Sequence, residues 1–182
     1  MVKLYKPYVL IIHTVMLISF FGLFTLAYSQ DCPNGFTYMD YYLNYDDICV
    51  PDSFSSTNTS NQQAFYFFES VTINGETVAA DDWVGAFNGD VCVGAYRWDT
   101  TGFCSDNQFT DETACELEGE TWTWNQCGGG ICSLPVYGWD GSSETDGYCI
   151  PGDIPTFQIF DVSAGIYLEA EPSENIPWEY LN

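Results

Sequence analysis

The 182-residue chain carries 26 Asp and Glu against three Lys and Arg and a single histidine, a formal net charge of −23. Lys3, Lys6 and His13 all lie near the start, so everything after residue 29 has Arg97 alone against all 26 acids, a net charge of −25. That balance excludes a nucleic-acid or anionic-membrane surface, which needs Lys and Arg to neutralise phosphate. The lack of a histidine or lysine base excludes Ser-His-Asp, Cys-His and Schiff-base chemistry in the same region.

Residues 1–29 read as a secretory signal peptide. Two lysines precede an apolar run from Tyr8 to Tyr28, and Ala27-Tyr28-Ser29 places small residues at −3 and −1 of a cut before Gln30. An uncleaved membrane anchor is the competing reading, because about 20 apolar residues span a bilayer. Cys32 lacks the small apolar neighbours of a lipid-attachment site. Secretion or display at the cell surface is expected either way.

All eight cysteines (Cys32, Cys49, Cys92, Cys104, Cys115, Cys127, Cys132 and Cys149) follow the leader, and an even count in an exported chain points to disulfides. Local pairing predicts Cys32–Cys49, Cys104–Cys115 and Cys127–Cys132, leaving Cys92 with Cys149. Zinc is disfavoured, since CxxC pairs and a histidine are both missing after residue 29.

In chain order, residues 30–62 read as an N-terminal disulfide loop with two strand fragments, followed by a Ser/Thr/Asn-rich linker at 53–63. Asn58-Thr59-Ser60 has the form of a glycosylation acceptor. From Gln63 to Asn182 the pattern is β. Ala64–Ile73 ends at Asn74-Gly75, a turn dipeptide. Trp83–Phe87 and Asp90–Tyr96 flank Asn88-Gly89, which predicts a hairpin with a type I′ turn. Thr156–Phe160 and Ile166–Ala170 read as strands joined at Ser163-Ala164-Gly165, and Pro135–Gly138 as another. Residues 111–118 are the one place where a helical turn or two is expected. The fold class predicted is all-β, a β-sandwich or jelly roll, with a disulfide-tied loop insertion at about 101–130.

That insertion holds three cysteines, six acids and the alternating Thr121-Trp122-Thr123-Trp124. Long inserted loops often carry function. Trp122 and Trp124 are candidate ligand-binding residues, since sugar rings stack on exposed aromatic faces; packing of the insert against the sandwich is the competing reading. Trp83 and Trp98 are expected in the core, and Arg97 is expected to pair with nearby carboxylates.

No cofactor is demanded by the sequence. Calcium is the candidate cation, through Asp140, Glu144 and Asp146 in a Gly- and Ser-containing loop, because it prefers flexible oxygen ligands. The spacing departs from the EF-hand order, and a solvated turn is the alternative. High ionic strength or bound cations would relieve the self-repulsion of so acidic a chain, although charge also serves solubility.

The runs DDWVGAFNGDVCVGAYRWDT, CGGGICSLPVYGWDG, GDIPTFQIFD and PSENIPWEYL resemble β-rich modules in secreted and cell-surface proteins of environmental, often marine, bacteria. The likeness covers about residues 61–100 and 127–182, with 101–126 as a departure, and no sorting tail appears before Asn182. It implies an extracellular β module with no catalytic residues to transfer. The expected function is a secreted non-catalytic module, structural or adhesive, binding a surface glycan or a cell-surface partner protein. Nucleic acid is not an expected partner, and a membrane is one only if the leader stays attached. A small carboxylate-dependent glycan hydrolase is the alternative.

Overall fold

The computed structural model describes residues 31–43 and 45–180, and most of the β-type runs within them become strands. The export segment expected at residues 1–29 lies outside these residues. No helix among the described residues is long and apolar enough to cross a membrane.

The protein is an all-β domain held by disulfides. Its centre is a four-stranded antiparallel sheet in the order β12-β11-β6-β7, built from β6 (Trp83–Asn88), β7 (Val91–Arg97), β11 (Thr156–Asp161) and β12 (Ile166–Ala170). Register sets its two faces. Phe160 lies opposite both Trp83 and Tyr167, whereas Phe157 lies opposite both Ala86 and Ala170. Since side chains alternate along a strand, Trp83, Gly85, Phe160 and Tyr167 share one face; Val84, Ala86, Phe157 and Ile159 share the other.

Each face has its own cover, which makes the molecule sandwich-like. The first is covered by the hairpin β1 (Phe36–Tyr42) and β2 (Tyr45–Pro51), with the turn that follows it. Phe36 meets Phe160 at 5.2 Å, Tyr42 meets Trp83 at 6.1 Å, and Phe54 packs edge-on against Tyr167 at 5.4 Å. The second is covered by the ribbon β3 (Gln63–Phe68) and β10 (Cys132–Tyr137). Tyr66 and Phe68 both reach Phe157, at 5.7 and 5.2 Å. Burial on both faces explains why β6 and β7 read as near-continuous apolar runs.

Close approach of these layers depends on glycine. A β-carbon on Gly94 would lie 2.0 Å from the Pro135 carbonyl oxygen, and one on Gly85 would lie 2.6 Å from the Phe54 ring. The first neighbour is backbone and cannot swing away.

Several local expectations are refined. The β6–β7 hairpin forms, but Asn88 pairs with Val91, so Gly89 and Asp90 are its central residues. Gly89 has φ +61° while Asn88 and Asp90 have negative φ, the pattern of a type II′ turn rather than I′. A bulge beside Ala86/Phe87 leaves Val93 without a register partner. Asn74-Gly75, both at positive φ (+53° and +87°), closes the short hairpin of β4 (Thr72–Ile73) and β5 (Glu76–Thr77). The polar 53–63 segment, expected as a linker, is packed down by its one phenylalanine: Phe54 is fully buried, and the Tyr148 hydroxyl accepts from the Asn58 N–H at 2.7 Å. Trp83 and Trp98 are buried as expected.

Cys32–Cys49, Cys104–Cys115 and Cys127–Cys132 are bonded, with Cα separations of 5.6, 5.8 and 4.1 Å. The fourth expected bridge is corrected: Cys92 and Cys149 are both unpaired thiols, and both are buried. Elimination joins what is left over, whereas a disulfide needs aligned side chains. Cys92 sits on β7 with its sulfur 3.6 Å from the Gly94 carbonyl, and Cys149 lies in a bridge to Gly138 beyond β10. Burial raises both thiols, Cys149 to about 12. The formed bridges imply folding in an oxidising compartment.

Candidate functional site

Three places offer themselves as sites: the insertion, the 140–147 loop, and a groove between β3 and β12.

Inside the insertion, β8 (Gly102–Cys104) and β9 (Trp122–Trp124) form a small hairpin, with Gly102 opposite Trp124 and Cys104 opposite Trp122. Its helix α1 (Glu112–Leu117) is capped by Asp111, whose carboxylate accepts from the Ala114 N–H at 2.9 Å. Cys104–Cys115 ties helix to hairpin. Two residues apart on one strand, Trp122 and Trp124 project to the same side and meet edge-to-face, with centroids 5.8 Å apart and planes at 81°. Trp122 lies over Gly102 and Trp124 over Gly128, where a β-carbon would come within 2.5 and 2.6 Å of the respective indoles. The Trp122 indole N–H is buried without a hydrogen-bond partner. Trp124 remains 42% exposed. The two candidate ligand-binding tryptophans are therefore together, but crossed and seated on glycines rather than laid side by side.

The joint between insertion and sheet is a polar node on Asp99. Its carboxylate accepts from Arg97 at 2.9 Å, from the Thr101 N–H at 3.0 Å and from Asn125 at 3.1 Å, and also bonds the Thr101 hydroxyl. Burial alone would raise this carboxyl, but the bonds from Thr101, Asn125 and Arg97 outweigh it and hold it below the usual carboxylate range. The Arg97–Asp99 pair meets the expectation for the lone base.

The 140–147 loop does not assemble the expected cation ligands. Among the described residues no three His, Cys, Asp or Glu side chains converge as a metal site, so Asp140, Glu144 and Asp146 are not brought together. Asp140 is spent on the loop itself: it accepts from the Thr145 hydroxyl at 2.7 Å and the Ser142 N–H at 3.0 Å. Those two bonds lower its pKa. Glu144 offers its backbone carbonyl to the Asn58 side chain at 3.2 Å.

The groove was not legible in sequence. It has a volume of about 940 Å³ and runs between the β3 ribbon with its β4–β5 hairpin and the end of β12 with the segment after it. Val84, Phe157, Ile159 and Leu168 contribute an apolar floor, Tyr66 and Phe68 an aromatic side, and Glu69, Glu171 and Glu174 acidic groups, while the side chain of Phe67, 71% exposed, is turned to the outer face of the ribbon. No Lys or Arg lines it. Seven consecutive residues, Leu168 to Glu174, line one side, the first three of them on β12. The side chain of Glu169 itself is turned to the other face, where Gln158 donates to it at 2.8 Å. The run AFYFF places Tyr66 and Phe68 on the face of the ribbon toward the central sheet and Phe65 and Phe67 on its outer face.

No protein-family model matches the chain, and neither a curated protein nor a solved structure gives a match. The site must be read on its own chemistry.

Proposed function

We propose that this chain is a secreted, non-catalytic extracellular module of structural or adhesive role, which binds a surface glycan or a partner protein through the groove between β3 and β12. One observation carries the reading: an apolar floor flanked by Tyr66 and Phe68 meets acidic groups in a concavity of about 940 Å³, the apolar lining with a few polar groups that recognition sites use. The frame around it suits life outside the cell, with three disulfides and a charge of −25 after the leader-like segment. Without a histidine or lysine after residue 29, the chain has no side-chain base of the usual kind to activate a nucleophile. The resemblance to bacterial cell-surface modules supports the same assignment.

A second reading draws on Glu69, Glu171 and Glu174, since paired carboxylates hydrolyse glycosidic bonds. One experiment separates the two. The oxidised protein is screened on glycan arrays and purified surface proteins, alongside Leu168→Ala and Trp124→Ala. The binding reading expects hits weakened about tenfold by Leu168→Ala, a change on the groove floor, and little changed by Trp124→Ala, with no new reducing ends released from any glycan bound. Release of reducing ends that Glu171→Gln or Glu174→Gln abolishes overturns the non-catalytic assignment. Loss on Trp124→Ala alone moves the site to the insertion.

A further inference from the structure

We infer that Asn74, on the rim of the groove, is a self-modifying site: its side-chain amide is lost to attack by the Gly75 main-chain nitrogen, which leaves an acid at the tip of the β4–β5 hairpin.

Three Asn-Gly pairs lie in the described residues, Asn34-Gly35, Asn74-Gly75 and Asn88-Gly89. All three share one local chemistry. Because glycine has no β-carbon, its main-chain nitrogen is open to approach by the preceding side chain. That nitrogen attacks Cγ of the asparagine; the N–Cγ bond forms, the Cγ–Nδ2 bond breaks, and ammonia leaves with the proton that the nitrogen held. Water then opens the cyclic imide at either carbonyl, giving aspartate or its β-linked isomer. Attack demands a narrow alignment of the two atoms, and each pair sits in a turn that fixes its backbone. The order of reaction is therefore the order in which the turns open, and the sequence alone ranks the three equally.

Their surroundings separate them. Asn88 is half-buried, and its Nδ2, the leaving group, donates to the Gly147 carbonyl at 3.1 Å and the Asp153 carboxylate at 3.3 Å. Its turn joins β6 to β7, two strands of the four-stranded centre. Asn34 is exposed, but its turn is tied by the Phe36 N–H to the Pro33 carbonyl at 3.1 Å and by the Asp52 N–H to the Gly35 carbonyl at 3.0 Å. The Cys32–Cys49 bridge closes the same loop. Asn74 has none of these restraints. Both residues of its pair are exposed, and its side chain has no hydrogen-bond partner among the described residues. β4 and β5 pair only with each other, over two residues each, and a bond from the Val78 N–H to the Val71 carbonyl at 3.2 Å closes the base. So short a two-stranded hairpin opens far more readily than the central sheet.

Position gives the reaction a consequence. Asn74 is one of the residues lining the groove, so either product places a new carboxylate at its rim. The β-linked product also lengthens the main chain by a carbon within a two-residue turn, which disrupts the Ile73–Glu76 pairing.

The test incubates the oxidised full chain at mildly alkaline pH and follows the three pairs by peptide mapping with mass spectrometry. A parallel sample is reduced and held in denaturant. In the native protein Asn74 is expected to convert about threefold or more ahead of Asn34 and at least about tenfold ahead of Asn88. In denaturant the three rates should draw within about twofold of one another, because the turns are gone. Asn74→Gln, whose longer side chain closes the ring poorly, should abolish the fast phase and leave the other two unchanged. Native conversion of Asn34 or Asn88 as fast as Asn74 overturns the assignment. So does a native Asn74 that stays intact while the denatured sample converts, or a fast phase that survives Asn74→Gln.

Discussion

The β6–β7 hairpin and the 101–130 insertion lie next to each other in the chain and are stabilised by opposite means. Every residue from Trp83 to Phe87 and from Cys92 to Tyr96 is buried, and both faces of the pair are covered. In the insertion, α1 buries only Cys115, Leu117 stands 79% exposed, and β8 and β9 pair only with each other. The hairpin is ordered by apolar burial and by glycines that let layers touch. The insertion is ordered by a disulfide, a helix cap and two tryptophans folded back on glycine. Burial couples the hairpin to the whole domain, whereas cross-links and caps act locally.

Gly94→Val should produce the largest effect. Its side chain collides with the Pro135 carbonyl oxygen, and overpacking against backbone costs about 3 kcal/mol or more. Chemical denaturation would show a collapsed midpoint or no folded protein; a loss under about 1 kcal/mol would sink the close-contact account. Next comes the double change Cys104→Ser with Cys115→Ser, which opens a loop of sequence separation 11. By chain entropy it removes about 2–3 kcal/mol, and the loss should appear as faster amide exchange in the insertion. Amides of β6 and β7 should keep their protection. A fall of the global unfolding transition in step would mean that the two regions are one cooperative unit.

A smaller effect lies at their joint. The Asp99 carboxyl is held below its ordinary range in the folded state, so its contribution is present above the unfolded value of about 4. It is lost as pH falls through the lower folded value. Acid titration should therefore release the Thr101 and Asn125 contacts only below the range where ordinary carboxylates protonate, and Asp99→Asn should flatten the acid side of the stability profile. A profile unchanged by the substitution would contradict the node. The smallest change is expected from Asp111→Ala, which removes the cap of a six-residue helix and costs about 1 kcal/mol within the insertion. Circular dichroism and local exchange would register it, while the midpoint of the domain should stay in place.

Strands and turns were largely readable because their signals are local. Ile166–Ala170 was predicted to the residue, and the short helix after Asp111 was anticipated from its neighbourhood. The hairpin turn at Gly89 was misplaced by one residue, since the register of two strands is set by how their faces pack and not by the turn dipeptide alone. Cys92 and Cys149 were paired by elimination, a count that ignores where the thiols point. Asp140, Glu144 and Asp146 looked like cation ligands because composition does not reveal that Asp140 is already engaged by Thr145 and Ser142. Phe54 looked like part of a linker because a single aromatic residue in a polar run carries no periodicity.

By itself the sequence determined that the domain is all-β, that its cysteines close short loops, and that its surface is acidic with Arg97 as the lone base after residue 29. These follow from nearest-neighbour pattern and from charge count, which do not depend on the fold. Only the tertiary structure decided which strand edges are left open and which residues of β3, β11 and β12 meet in one groove. The residues concerned, near 66–74 and 168–176, lie about a hundred positions apart. Their meeting depends on which layer covers which face of the central sheet, and no local signal encodes that choice.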